Sequence, residues 1–447
     1  MIDFKIQKEK YHPMAEIARI RLSTLFKAIS TNLLSPFISL YALKLGASNF
    51  QIGLISSITT LLSVVAQLIS LPILLSFRKK LMVHIIFDAI GALLFIPIAF
   101  VENPNQLILF LTLQAFFFSF PAQVWNEFQV QIFPPRRRGT EVGILNKIGG
   151  VGAFFAYLIA GYVIRKFGFI PYLFFAAAFF GITRNVVLMR IKESSLFSRR
   201  SFKSVIKEIL SFKIFRNLKF KKLLLASFFF NFAVSIGAPM FSVYLIKNLG
   251  ADSVQLSIVS TISLLVSIAF SEAWGRVADF IGRREVIVAG LPLIALFPLF
   301  YLISTNMLDV YIFTFIAQIG WVAFNIAMFS YLADIGRGSP QIYFTFFNSI
   351  SSISAIFGSM MSGYFADIMG IKSALIASFC LRVISIFFFL SLGEKKGYRP
   401  RGILPFLSPH AFISSVEFFI SIYSIVFEET RKSVLERILR RIKSLLK

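Results

Sequence analysis

Cysteine is almost missing. Cys380 is the single one in 447 residues, which excludes an intramolecular disulfide and a thiolate metal cluster. Histidine is nearly as scarce. His12, His84 and His410 stand too far apart to give a metal-ligand spacing, so no metal and no cofactor are expected. Charge is thin as well: Asp, Glu, Lys and Arg make up 15% of the chain, against roughly 25% in soluble domains. No P-loop occurs, which disfavours a nucleotide-driven pump. Period-2 alternation bounded by regular turns is absent, so a transmembrane β-barrel is not expected.

What fills the space is apolar. Hydrophobic residues reach 57%, with 55 phenylalanines. A soluble interior stops growing near roughly 250–300 residues and could not hide that much. A bilayer removes the limit, and a spanning helix needs about 20 mostly apolar residues. Twelve such stretches are found, near 17–42, 50–76, 81–101, 105–132, 140–164, 168–190, 222–246, 253–275, 285–304, 308–334, 341–366 and 370–392. The fold class expected is an all-α integral membrane protein. No cleavable signal is expected, because the basic start is long and the first apolar run exceeds a signal's.

The net charge of +25 could suggest nucleic acid, but no reader motif accompanies it, and none is expected as a partner. Its distribution follows the membrane. With the N-terminus inside, most Lys and Arg fall on cytoplasmic segments, among them Arg78-Lys79-Lys80, Arg136-Arg137-Arg138, 190–222 and the tail. The opposite loops carry little more than Lys44, Arg165, Lys166, Lys247 and Lys372. This is the positive-inside asymmetry, and it places both termini in the cytoplasm of a multi-pass protein of the cell membrane.

The chain also repeats itself. Pro36, Tyr41 and Lys44 match Pro239, Tyr244 and Lys247. Beyond the extra Asn248, Leu45-Gly46-Ala47 matches Leu249-Gly250-Ala251, and Gln51 and Ser56 match Gln255 and Ser260. Gln114, Asn146, Gly161-Tyr162 and Gly168 then meet Gln318, Asn348, Gly363-Tyr364 and Gly370. Arg184 and Arg382 lie one helical turn out of register, on the same face. Two pseudo-symmetric six-helix bundles of equal orientation are expected, 1–190 and 222–392. A basic linker, 191–221, joins them, and an amphipathic basic tail, 393–447, follows. Parallel repeats about an axis along the membrane normal occur in secondary transporters.

One loop concentrates charge. In "WGRVADFIGRRE" (274–285), Gly275 would allow close helix approach and Gly282 a sharp reversal. Asp279 lies one turn from Gly275 and can accept from free amides at a neighbouring helix N-terminus. Arg283 and Arg284 can pair with acids at helix ends or with lipid phosphate. Such a cluster could latch two bundles at the cytoplasmic face; the plainer reading is a short charged loop that fixes topology. "GRVADFIGRR" resembles the G-x-x-x-D-x-x-G-R-R/K loop of the major facilitator superfamily, in its second-half position. Gly363 to Gly370, with Asp367, is a weaker echo, and Arg138-Gly139 resembles the family's R-G turn. The first-half copy of the loop is degraded to "LPILLSFRKK", and the fifth span lacks the Gly-Pro pair associated with drug–proton antiporters. The resemblance covers 17–392 and implies a transporter, no enzyme, with spans one, four, seven and ten around a central cavity.

The residues on those spans are polar and aromatic, without a central charge. Span seven carries Ser227, Asn231, Ser235 and Ser242 on one face; span one carries Thr24, Asn32, Ser35 and Ser39 at matching places. Span ten offers Gln318, Trp321 and Asn325, and span four Gln114 and Trp125. Such stripes line a wet cavity or form a helix-packing seam. As a cavity they suit a small, mostly uncharged organic solute. Charges inside spans cost about 2.5–3.5 kcal/mol each on insertion scales. They are Lys27, Asp88, Glu127, Lys147, Arg184, Glu272 and Arg382. Glu127 is the favoured proton-carrying carboxylate, with Lys27 as its companion; a structural pair near the surface is the alternative. Arg184 could snorkel to the interface, while Arg382, mid-span, requires a buried acceptor.

The tail alternates apolar and charged residues at helical spacing, which suits the inner membrane surface and its anionic lipids. The expected function is H⁺-coupled secondary transport by alternating access, in a monomer, with efflux of the solute favoured. Sugar or metabolite uptake, a transport-dead membrane sensor with the same fold, and a membrane enzyme stay open as alternatives.

Overall fold

The computed structural model describes residues 13–76, 80–122, 125, 138–169, 171–191, 217–336 and 340–392. Among them every regular element is helical. The helices are α1 (Pro13–Asn32), α2 (Ile38–Lys44), α3 (Asn49–Ser76), α4 (Lys80–Leu93), α5 (Phe95–Ile98), α6 (Pro104–Ser119) and α7 (Arg138–Phe167). Then come α8 (Pro171–Met189), α9 (Leu218–Leu249), α10 (Ser253–Ile281), α11 (Arg283–Ile303), α12 (Met307–Ile335), α13 (Pro340–Met369) and α14 (Ile371–Leu390). Among the described residues nine stretches are long and apolar enough to cross a membrane. The other three expected spans are the broken first one (α1 and α2), the fourth, which α6 begins and which leaves the described residues, and the serine-bearing α13.

Proline explains the interruptions. Pro97 has no N–H to give Leu93, so α4 and α5 are two pieces of one span. Near Pro36 the first span stops at Asn32 and passes through a 3-10 turn, Ser35–Phe37, before α2 resumes. Its repeat partner Pro239 sits inside the unbroken α9. One break therefore belongs to the first half only.

Turn geometry records the duplication. Gly46, Gly168, Gly250 and Gly370 all have positive φ, between 65° and 84°, where a Cβ is strained. They are two repeat pairs, Gly46 with Gly250 and Gly168 with Gly370. Helix starts repeat too. The Asn103 side chain accepts from Gln106 N at 3.0 Å to cap α6, and Asn306 accepts from Asp309 N at 3.1 Å to cap α12. In each case the third residue reaches back, Gln106 to Glu102 N and Asp309 to Thr305 N, which satisfies amides in both directions.

The chain packs as two compact units. One holds the described residues up to 191 together with 231–261 and 348–378; the other holds 217–230, 262–347 and 379–392 as far as they are described. Their border falls inside α9, α10, α13 and α14. In the first unit α1 lies against α7 and α8, α3 against α6, and α4 against α6 and α8. Ile20, Leu81, Ile85, Leu145 and Leu188 form a core cluster there. In the second unit α11 and α12 meet at Gly290 and Gly320, where a Cβ on either would come within 2.8 Å of the other's carbonyl oxygen. Lipid tails are as apolar as leucine, so close small-residue contacts and interhelical hydrogen bonds fix such pairs. Ser30 Oγ donates to Ala177 O at 2.7 Å, and Ser378 Oγ donates to Ala233 O at 2.6 Å. These are equivalent junctions in the two halves with donor and acceptor exchanged. Large apolar side chains are left bare outside, Tyr172 at 75% and Phe387 at 67% exposed, as a lipid-facing surface allows.

Candidate functional site

Inside the first unit, three helices, α1, α4 and α8, bring ionisable groups to one place. His84 and Asp88 sit one turn apart on α4, hence on one face. Asp88 Oδ1 accepts from Lys27 Nζ of α1 at 2.8 Å. Its Oδ2 accepts from Asn185 Nδ2 of α8 at 3.0 Å and pairs with Arg184 Nη1. Arg184 Nη2 lies 3.0 Å from His84 Nε2, and His84 Nδ1 faces Pro121 O at 3.2 Å. Arginine can only donate, so Nε2 is an acceptor and the imidazole is neutral with its proton on Nδ1. Trp125 stacks on His84, ring centroids 5.5 Å apart, with the Arg184 guanidinium 5.1 Å from the indole. Lys27 Nζ also rests 3.3 Å over the Phe118 ring of α6. Buried charge survives only when paired and hydrogen-bonded, and each member here is. Arg184 does not snorkel: its side chain is 4% exposed, because Asp88 and His84 supply its acceptors inside.

The polar stripes land mostly on helix contacts. Thr24 and Ala28 lie against Gly149 of α7, and Asn32 accepts from Tyr157 OH of the same helix at 2.8 Å. Ser35 is exposed, 3.4 Å from Asn32 Oδ1. On α9, Asn231 Nδ2 donates to Ser351 Oγ of α13 at 3.2 Å, and Ser235 packs on Gly358. So the stripe of α1 meets α7 and that of α9 meets α13, a seam at these positions. Gln114 is buried, its amide on Gly91 O at 3.0 Å, and Trp125 belongs to the charged cluster. In the second unit Gln318 donates to Ser267 Oγ at 2.9 Å. Trp321 meets Phe230 and Phe324, while Asn325 is exposed.

The charged loop does part of what its residues suggest. Gly282, at φ 109°, makes the reversal between α10 and α11. Arg283 pairs with Asp334 on the last turn of α12 and donates to Ser330 O at 2.8 Å. Arg284 donates to Leu390 O at 2.7 Å, closing the end of α14. At Gly275, a Cβ would meet Ile326 Cγ2 at 4.0 Å among the described residues. The Asp279 side chain and all of Glu127 lie outside the described residues.

A carboxylate cap of the kind expected of Asp279 is found at Asp367. Its two oxygens accept from Asn49 N at 3.1 Å and Phe50 N at 2.9 Å, at the free amides that open α3. Beneath that cap α3 and α13 are in close contact. A Cβ on Gly53 would come 2.6 Å from Ser359 O, and one on Gly363 would come 2.6 Å from Phe50 Cα. The repeat supplies a second copy between α7 and α10. There Ser253 Oγ donates to Gly161 O at 2.7 Å, and Arg165 reaches Asp252 at 3.4 Å.

Similarity to known proteins agrees with this architecture. The sequence model of the Major Facilitator Superfamily matches residues 21–244 and 223–430, once for each half. The chain belongs to the major facilitator superfamily. It is thus a multi-pass membrane protein of a transporter family, with twelve helices in two bundles. An uncharacterized MFS-type transporter of Methanocaldococcus jannaschii is 24% identical over 364 residues, covering 79% of this chain and 92% of that protein. The multidrug resistance protein MdtG of Proteus mirabilis is 27% identical over 288 residues, 60% of this chain and 68% of its own. Among solved superfamily structures, the nucleoside transporter NupG superposes with a TM-score of 0.69 at 15% identity, over 85% of this chain and 99% of its own. A bacterial homolog of the human lysosomal transporter Spinster gives 0.66 at 14%, over 91% and 99%.

His84, Asn185 and Tyr157 are the site residues that sequence reasoning passes over. The signal was present for one of them: His84 and Asp88 stand four apart inside an apolar helix, where two polar residues on one face call for a partner.

Proposed function

We propose that this protein is a secondary transporter of the cell membrane that carries a small, mostly uncharged organic solute by alternating access, driven by H⁺, with export the favoured direction. The observation that carries the reading is the pair of seams, α3 with α13 and α7 with α10. Each closes on small residues and a few polar contacts at helix ends. Water can replace such contacts when the helices part, whereas a leucine-packed interface would hold. Within the first unit, the half-buried amides of Asn32 and Asn231 and the ring of Trp125 offer orientation and apolar area. Export is supported by likeness to a protein named for multidrug resistance.

Purified protein in proteoliposomes tests this directly. Uridine and Nile red, both uncharged, serve as probes in counterflow, with and without a pH gradient. The expected result is counterflow of at least one probe and its uphill movement against the gradient. Counterflow of a probe that the pH gradient cannot drive uphill overturns H⁺ coupling, and no movement of either probe overturns the solute class.

A further inference from the structure

The cluster around Asp88 holds a surplus of charge. Lys27 and Arg184 are cations, Asp88 is one anion, and His84 is neutral by its hydrogen bonds. Among these four described residues the sum is one positive charge. A group able to change that sum must be found among these four. Arginine does not lose its proton in proteins. Asp88 meets two cations and an amide donor, Lys27 on Oδ1 and Arg184 and Asn185 on Oδ2, and it is the ionised carboxylate that pairs with them. His84 is held between Arg184 and Pro121 O. Lys27 remains, and it is the member with access, its side chain 27% exposed against 3% for Asp88 and 4% for Arg184.

Among the described residues, α4, α6, α7 and α8 bring no acid besides Asp88 and Glu141, and α4 carries a further buried cation, Lys80, two turns before Asp88. No ionisable residue occurs in α6. On α7, Glu141 is taken by Arg21 at 2.8 Å, and Lys147 is exposed. Lys27 also has something to move. Its ammonium joins α1 to α4 through Asp88 and to α6 through the face of Phe118, and both attractions need the charge. A few residues on, α1 ends at Asn32 and the span is broken, so α1 is not tied to α2 by a continuous helix.

We propose that Lys27 is the proton-binding residue of the transport cycle: its ammonium clamps α1 to α4 and α6, and its amine releases them. In the step, Lys27–NH₃⁺ gives one proton to water and keeps the electron pair. The cluster goes from one net positive charge to zero, with Asp88 and Arg184 cancelling. This rests on the H⁺-coupled reading above and names its site.

The test needs no substrate. With Cys380→Ser as background, spin labels are placed at Leu22 on α1 and Leu109 on α6, both exposed, and the α1–α6 distance is measured in nanodiscs from about pH 5.5 to 10. Wild type is expected to move between two distance distributions. Lys27→Arg, which cannot deprotonate, should stay at the acid-side distribution at every pH. Lys27→Met leaves Asp88 facing one cation and should stay at the alkaline-side one. A merely structural lysine would give both variants the same disturbance, and that overturns the proposal, as does a Lys27→Arg protein that still shifts with pH or a wild type that does not. Glu127→Gln should shift like wild type; loss of the shift there moves the site to Glu127. A separate transport arm applies a one-unit pH gradient, worth about 1.4 kcal/mol per proton and so about tenfold in solute ratio. If distances switch as described but the gradient drives no probe, the Lys27 switch stands and the coupled-transport reading falls.

Discussion

Arg382 shows how a buried cation uses a backbone carbonyl as an acceptor. It is 1% exposed, and its Nη1 donates to Ile294 O at 2.9 Å. In a regular helix that carbonyl would accept from the amide four residues on, but residue 298 is proline and has no N–H. A proline in α11 therefore frees the acceptor that Arg382 on α14 uses. The repeat partner Arg184 has Asp88 in a comparable role. Arg382→Met should strand the Ile294 carbonyl and cost about 1–3 kcal/mol, read as a lowered unfolding temperature in detergent. Adding Pro298→Ala should return part of the loss, since the new N–H fills the same carbonyl. A double variant no more stable than Arg382→Met alone would show that the carbonyl is not what the arginine serves.

At the scale of elements, the α3–α13 seam makes a sharper demand than the polar stripes do. Any side chain at Gly363 would meet Phe50 Cα at 2.6 Å, too close for a Cβ contact, so Gly363→Leu must push the two helices apart. Ser57, 3% exposed on α3 and donating to Ile356 O at 3.0 Å, reports it. In a Cys380→Ser background, a cysteine at Ser57 should react slowly with a membrane-impermeant thiol reagent. With Gly363→Leu added it should react at least about tenfold faster, which corresponds to some 1.4 kcal/mol of lost closure. Equal labelling in the two proteins would mean that the seam does not occlude Ser57. Asp367→Asn should give a smaller increase, because a neutral amide oxygen still accepts but without the charge that favours a helix N-terminus.

For the whole molecule, the two-fold repeat and the basic tail make separate demands. On the proposed reading, transport is the work of the paired bundles and the tail is dispensable to it. Removing 403–447 should leave the counterflow rate within about twofold, a change worth less than 0.5 kcal/mol in barrier terms. A protein that keeps its fold but loses movement of every probe after that deletion would favour the sensor reading instead.

The helices, their caps, the reversal at Gly282 and the duplication are legible in the chain alone. Each depends on neighbours within a turn or two, and a repeat is a comparison of the chain with itself. The first span's break could be suspected at Pro36, though its equivalent Pro239 shows that a proline does not decide the matter locally. Partners were another question. The sequence supplies Lys27, Asp88, Arg184 and Arg382 as costly charges and implies that each must be satisfied. Only the rotation and depth of packed helices decide that Lys27 meets Asp88, that Arg184 meets Asp88 and His84, and that Arg382 finds a carbonyl beside a proline. Periodicity fixes which side chains share a face, while the choice of the facing helix is made by contacts many residues away in the chain.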